Sequence, residues 1–283
     1  MLIPVLLFAL GLVLLIKGGD WFVDGATGIA ERFHVPEIII GATVVSIGTT
    51  LPEVMVSATS ALTGHGEIAY GNAIGSIICN TALIAAITVA VRPGPVDTKA
   101  LKTPVLFFFG SAAIYVVNTY VTGYFGRPLG ILLLAIFVVY LVVTVRQGFR
   151  NPVEAAAEEE ETKEIEEKAT KNTMGKDILL LVVGAALVAV GADLLVDNGT
   201  LIAQALGVPE SVIALTFVAL GTSLPELVTA ITSLAKGHGA LSLGNVIGAN
   251  LFNLVLVSGM SMTLAPFYIP ESSTLFGVNA SLV

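Results

Sequence analysis

What this sequence has least of is charge: only 12% of its 283 residues are Asp, Glu, Lys or Arg, against about 25% in an ordinary soluble domain. With 55% apolar residues and a mean hydropathy of +0.91, that scarcity excludes a soluble enzyme. Cys79 is the single cysteine, which rules out a disulfide framework and a cysteine zinc site. The three histidines, His34, His65 and His238, are too scattered to ligate a catalytic metal. Lys and Arg total 13 and form no stripe, so a nucleic-acid footprint is missing as well. Acid is more plentiful but local, because eight of the 21 acidic residues fall between Glu154 and Glu167.

What is there is a succession of apolar runs. A bilayer crossing needs about 20 residues, and eight runs qualify, near 2–23, 38–62, 68–91, 103–119, 129–147, 177–196, 210–235 and 241–263. The expected fold class is all-α, a polytopic transmembrane protein whose first partner is the lipid bilayer. The first run lacks a basic leader and continues into Gly18-Gly19-Asp20-Trp21, so it reads as a helix rather than a signal peptide. Residues 150–176 are polar, with EEEETKEIEEK at their centre, and form a linker between 1–149 and 177–283. Counting Lys and Arg over alternating helices sets eleven on the linker side and Arg127 alone on the other. The positive-inside rule then makes the linker cytoplasmic and the N-terminus external.

Shifting the sequence by 173 residues superposes one half on the other without a gap. TVVSIGTTLPE (43–53) meets TFVALGTSLPE (216–226), and GHGEIAYGNAIGSIICN (64–80) meets GHGALSLGNVIGANLFN (237–253). Five spans precede the second copy, so it enters the membrane upside down, and inverted repeats of this kind bind their cargo near the midplane where the copies meet. The same offset predicts two more helices, near 276–292 and 302–320, whereas the sequence ends at Val283. The expectation is eight spans of ten, with the second repeat incomplete and a ninth helix only begun.

In both copies a Pro stands one residue before a Glu inside an apolar run. Proline withholds an N–H and frees carbonyls about one turn earlier, and in lipid those carbonyls need another partner. A cation would serve. Ser46 and Ala219 offer backbone oxygens, Thr49, Thr50, Thr222 and Ser223 hydroxyls, and Glu53 and Glu226 charge. An ionised carboxylate at mid-bilayer costs roughly 2.5 to 3.5 kcal/mol; a Glu protonated between packed helices is the bland alternative, and it leaves the Pro and the hydroxyls unexplained. In GNAIGSIICN and GNVIGANLFN the glycines 71, 75, 244 and 248 read as helix packing, and Ser76, Asn80 and Asn253 as further oxygen ligands. Hard oxygen donors without Cys or His select Na⁺, Ca²⁺ or Mg²⁺, and two glutamates match the charge of Ca²⁺. The aspartates 20, 24, 193 and 197 read as pairing groups near helix ends, and His65 and His238 as turn residues.

GTTLPEV and GTSLPEL, each followed by a GNxxG helix in an inverted repeat, resemble the α-repeats of the cation/calcium exchanger superfamily, specifically its prokaryotic sodium/calcium exchanger branch. The resemblance implies secondary antiport in the plasma (inner) membrane, Na⁺ moving inward to drive Ca²⁺ outward, with no organic cofactor and no obligate protein partner. It implies four cation positions in a diamond: Glu53 and Glu226 shared by Ca²⁺ and Na⁺, Thr49, Thr50, Thr222, Ser223, Ser76 and the carbonyls of Ser46 and Ala219 completing the sodium positions, and Asn80 and Asn253 flanking the centre. Two residues depart from the pattern. Ala249 replaces a family hydroxyl, leaving the position nearer Glu53 one ligand short, and Asn253 stands where several relatives carry Asp. Ca²⁺/H⁺ antiport is the nearest alternative, although its representatives usually carry a Glu in a GNxxE helix, whereas here Ser76 and Ala249 follow the glycines. A passive cation channel is the alternative from another class, and a hydrolase fails for want of a nucleophile beside a base.

Overall fold

The computed structural model describes residues 2–91, 93, 98–148, 173–207, 221–268, 274–275 and 278–279. Helix α1 is Leu2–Phe33, α2 is Glu37–Leu62, α3 joins Gly66–Cys79 to Ala86–Val91, α4 is Thr98–Thr122 and α5 is Arg127–Gly148. After the linker come α6 (Met174–Ala205), α7 (Leu224–Lys236) and α8 (Gly239–Leu264). All but α7 are long and apolar enough to cross a bilayer. The predicted seventh span, 210–235, lies partly outside the described residues, and α7 is its described part.

Every residue of α1 from Leu2 to Phe33 is helical, ten positions past the predicted end of the run. Charge does not end this helix because its charges find partners: Lys236 of α7 donates to Asp24 Oδ1 at 2.7 Å and to the Asp20 carbonyl at 2.9 Å, and Arg32 donates to Asp177 of α6 at 2.9 Å. The aspartates 20 and 24 therefore pair as expected, but from within the helix rather than at its end.

Helices α1 and α6, the first helix of each copy, run antiparallel in intimate contact. Small residues make this possible: a Cβ at Gly11 would meet the Gly191 carbonyl at 2.9 Å, and one at Gly18 the Gly184 carbonyl at 3.0 Å. Against the remaining helices the pair packs more thinly, through Leu15, Val188 and Ala192 beside Leu224 and Val228. A second cluster sets Phe22, Val23, Ala26 and Ala30 of α1, with Leu181 and Ala185 of α6, against Ile38, Ile39, Ile40 and Leu241, and the largest, gathering Tyr70, Tyr115, Phe125, Leu133, Tyr140 and Phe252, lies in the rest of the bundle.

The Gly-His-Gly turns are alike in both copies. Gly64 has φ 84° and Gly237 φ 97°, the left-handed region that ends a helix without a Cβ penalty. In α8, Gly244 and Gly248 press on the backbone of Ile38 and Ala42, as small-residue packing predicts. The residues that the repeat would set against Gly71 and Gly75 are 211–215, outside the described residues.

Two short ladders complete the fold. Tyr124–Phe125 (β1) pairs antiparallel with Phe267–Tyr268 (β2), fastening the α4–α5 turn to the end of α8. Thr274–Leu275 (β3) pairs with Val278–Asn279 (β4). This corrects the expectation of a ninth helix beginning here: the four described residues are strand, and β-branched Thr274 and Val278 favour that over helix.

Candidate cation site

The two PE pairs are set differently. Pro52 lies inside the continuous helix Ser46–Leu62, whereas Pro225 opens α7 at its first turn, directly after a turn at Thr222–Ser223. The sequence predicts a proline at the centre of a span in both copies; in the second, a new helix starts there, and proline suits that position because the first turn needs no N–H. Glu226 thus sits in the first turn of a helix, and Glu53 in the middle of one.

Despite this difference the two carboxyls converge. Both have 0% exposure, and the Glu226 charge acts directly on Glu53. None of their four carboxyl oxygens has a hydrogen-bond partner among the described residues. The Thr50 hydroxyl, both polar atoms of Asn80 and the Asn253 Oδ1 are buried and unpartnered as well. Asn253 donates its amide to the Ala249 carbonyl at 3.1 Å, which leaves only its oxygen free. Ser46, Thr49, Ser76 and Ser223 are also buried, and Thr222 is partly so. Ala219 lies outside the described residues.

The hydroxyls cross between copies. The Thr49 and Thr50 side chains, carried on the same helix as Glu53, face Glu226 in the second copy. Ser223 Oγ approaches Ser76 Oγ at 3.5 Å, the edge of hydrogen bonding. By the repeat, that contact corresponds to Thr50 with residue 249, and because residue 249 is an alanine the Thr50 hydroxyl is the one left unpaired.

Two residues reach the site without being singled out above. Asn245, of the GN pair in α8, accepts from Thr49 Oγ1 at 3.2 Å and from Ser46 Oγ at 3.3 Å through its Oδ1. Its counterpart Asn72 donates to Ser57 at 2.8 Å and to the Glu53 carbonyl at 3.3 Å. The signal was available, since both asparagines recur at the 173-residue offset beside the glycines that drew attention. Cys79 is the second: it is only half buried and stands near Ser223 and Glu226. A lone cysteine in an apolar stretch carries no signal of that kind.

Asn80 and Asn253 each open a π-helical turn, at Asn80–Ala85 and Asn253–Val257, and α2 has a third at Gly41–Val45. Such turns widen the helix and release carbonyls, and they occur often at functional sites. Here the Ala42 carbonyl accepts from Tyr140 at 2.8 Å, and the Asn253 carbonyl from Ser258 at 3.0 Å. Nothing in the local sequence announces these turns.

Comparison with known proteins agrees with this geometry. The family described as sodium/calcium exchanger protein matches residues 3–146 and 176–283. An uncharacterised membrane protein of Methanocaldococcus jannaschii is 39% identical over 87% of this chain and 77% of its own. The sodium/calcium exchanger MaX1 of Methanosarcina acetivorans is 31% identical over 96% and 86%. Among solved structures, the sodium-calcium exchanger NCX_Mj soaked with Na⁺ and Ca²⁺ superposes with a TM-score of 0.81 at 33% identity, covering 96% of this chain and 85% of that one. With its matched repeats, its helical membrane architecture and these relatives, the chain belongs to the sodium/calcium exchanger family of integral membrane antiporters.

Proposed function

We propose that Na⁺ and Ca²⁺, the ions this family exchanges, compete for the two carboxylates Glu53 and Glu226. Thr49, Thr50, Ser76, Asn80, Thr222, Ser223, Asn253 and the carbonyls of Ser46 and Ala219 supply the neutral oxygens. One observation carries the reading: four fully buried carboxyl oxygens lie within reach of one another's charge, and although the Thr49 and Thr50 hydroxyls face Glu226, none of the four closes a hydrogen bond among the described residues. A protonated glutamate holding two helices together would hydrogen-bond to one of them, and neither does so among the described residues.

The donor set fits a transported ion better than a resident one. Among the described residues no three His, Cys, Asp or Glu side chains gather as a metal site. Calcium affinity rises with the number of charged ligands, so two carboxylates among neutral oxygens hold an ion that must later leave. A single Ca²⁺ balances the pair, and Na⁺ ions replacing it restore the same neutrality at separate positions. Exchange follows because two buried, mutually repelling carboxylates are costly without cations.

In this reading Na⁺ enters and Ca²⁺ leaves by alternating access across the plasma membrane, with the N-terminus outside and the linker in the cytoplasm, as the distribution of Lys and Arg requires. The test is Na⁺-driven uptake of radiolabelled calcium in vesicles. Glu53→Gln and Glu226→Gln should abolish uptake, and Asn80→Ala and Asn253→Ala should lower it by about tenfold or less, because they remove coordination but not charge. Equal, mild losses at all four positions would refute the assignment, and uptake driven by a pH gradient without Na⁺ would favour Ca²⁺/H⁺ exchange instead.

A further inference from the structure

Beyond Glu226, helix α7 continues with an unusual stripe. Thr229 and Ser233 follow at three and seven residues, on the same face. Both have 0% exposure, and neither hydroxyl has a partner among the described residues. Thr27, Thr43, Thr88 and Thr119 each donate instead to a carbonyl four residues back, and although Ser111 and Thr144 are also buried and unpartnered, neither follows a glutamate of the site along its helix. The neighbouring helix α8, joined to α7 by the Gly237–His238 turn, carries fully buried polar side chains of its own in Ser242 and Asn245. Its Asn245 has an unpartnered amide nitrogen, and Ser242 shares a hydrogen bond of 3.0 Å with Thr88.

The rise of 1.5 Å per residue puts Thr229 about 4.5 Å and Ser233 about 10.5 Å along the helix from Glu226, with Lys236 at about 15 Å. That is the half-thickness of a bilayer core, about 15 Å. The stripe therefore runs from the midplane to the face where Arg32 meets Asp177 at the start of α6, which is the linker side. At its end Lys236 grips Asp20 and Asp24 of α1. The opposite half differs: the repeat puts an exposed Val56 where α7 has Thr229, and a Ser60 that is only partly buried where α7 has the fully buried Ser233.

We propose that Thr229 and Ser233 line the passage through which cations move between the Glu226 site and the linker side. They hand the ion from one hydroxyl to the next, and the Lys236–Asp24 pair closes the far end. The proposal rests on the reading of Glu226 as an ion ligand. Buried hydroxyls that find no hydrogen-bond partner among the described residues have a use if an ion or its water reaches them when the passage opens.

The variants Thr229→Val and Ser233→Ala keep the shape and remove the oxygens. In proteoliposomes each should lower the maximal rate of Na⁺-driven Ca²⁺ exchange by about fivefold, the scale of one net hydrogen bond. Calcium binding to the solubilised protein should stay within about twofold, and thermal stability should rise because an unsatisfied buried hydroxyl is gone. Thr229→Ser and Ser233→Thr should retain the rate. Thr27→Val, which removes a hydroxyl bonded within its own helix, should leave the rate unchanged. An unchanged exchange rate in Thr229→Val and Ser233→Ala, or a rate that falls only together with calcium binding or stability, would overturn the passage. Failure of the underlying reading would show separately, as calcium binding that survives Glu226→Gln.

Discussion

Ala249→Ser is the sharpest probe of how the two copies share one site. Residue 249 is fully buried in α8, and its repeat counterpart Ser76 lies 3.5 Å from the Ser223 hydroxyl. The corresponding pair, residue 249 with Thr50, has one hydroxyl only, and that hydroxyl faces Glu226 without a partner. Restoring the second oxygen adds a sodium ligand beside one already aimed at the site. A net hydrogen bond or neutral ligand contributes about 1 kcal/mol, which corresponds to about a fivefold lower half-saturating Na⁺ concentration. Calcium affinity should change little, since both carboxylates and both asparagines are untouched. The assay is Na⁺-dependent Ca²⁺ efflux from loaded vesicles, read across a sodium titration, with thermal unfolding in detergent beside it. If Ala249→Ser lowers stability by about 1 to 3 kcal/mol, the cost of an unpartnered buried hydroxyl, while the sodium curve stays where it was, residue 249 does not face the ions and the repeat argument fails there.

Gly184→Ala should force α1 and α6 apart, because the added Cβ would lie 2.7 Å from Phe22 Cα and 2.8 Å from the Gly18 carbonyl. The expected loss is about 1 to 3 kcal/mol in thermal unfolding; Gly110→Ala, whose Cβ meets no described atom, should cost nothing by the same measurement. The third prediction concerns pH. Burial pulls the His238 pKa down, but the hydrogen bond and charge of Glu37, with the charges of Glu31 and Asp24, outweigh it and hold the imidazole above the ordinary histidine value. A raised folded-state pKa means that the 2.6 Å pair with Glu37 stabilises fully below the unfolded histidine pKa and loses its contribution as pH climbs through the folded one. Melting temperature should fall across that window, and His238→Gln should flatten the profile.

Membrane spans and the inverted repeat were legible because both rest on long-range regularities: apolar length, and a 173-residue offset shared by two dissimilar-looking motifs. Glu53 and Glu226 stood out because a carboxylate beside proline in an apolar run demands a reason. Local geometry was harder. Asp20, Asp24 and Arg32 resemble the end of a span, and only the folded chain shows Lys236 and Asp177 arriving from 212 and 145 residues away to pair with Asp24 and Arg32. Asn245 went unnoticed because an asparagine beside a glycine reads as packing until its acceptor meets Thr49. The break at Thr222–Ser223 and the π turns at Asn80 and Asn253 depend on tertiary packing, and residues that differ so little from their counterparts do not encode it locally.

The glycine seam between α1 and α6 has a further meaning in terms of symmetry. Gly11 and Gly184 occupy equivalent places in the two copies, as do Gly18 and Gly191. The contacts are crossed, Gly11 against Gly191 and Gly18 against Gly184, and each is reciprocated. A surface that meets its own equivalent in this way is isologous, the arrangement of a two-fold homodimer. The chain therefore carries within itself the interface of an antiparallel dimer. The two copies are not held to identity elsewhere: Lys236 stands in one where Thr63 stands at the matching place in the other.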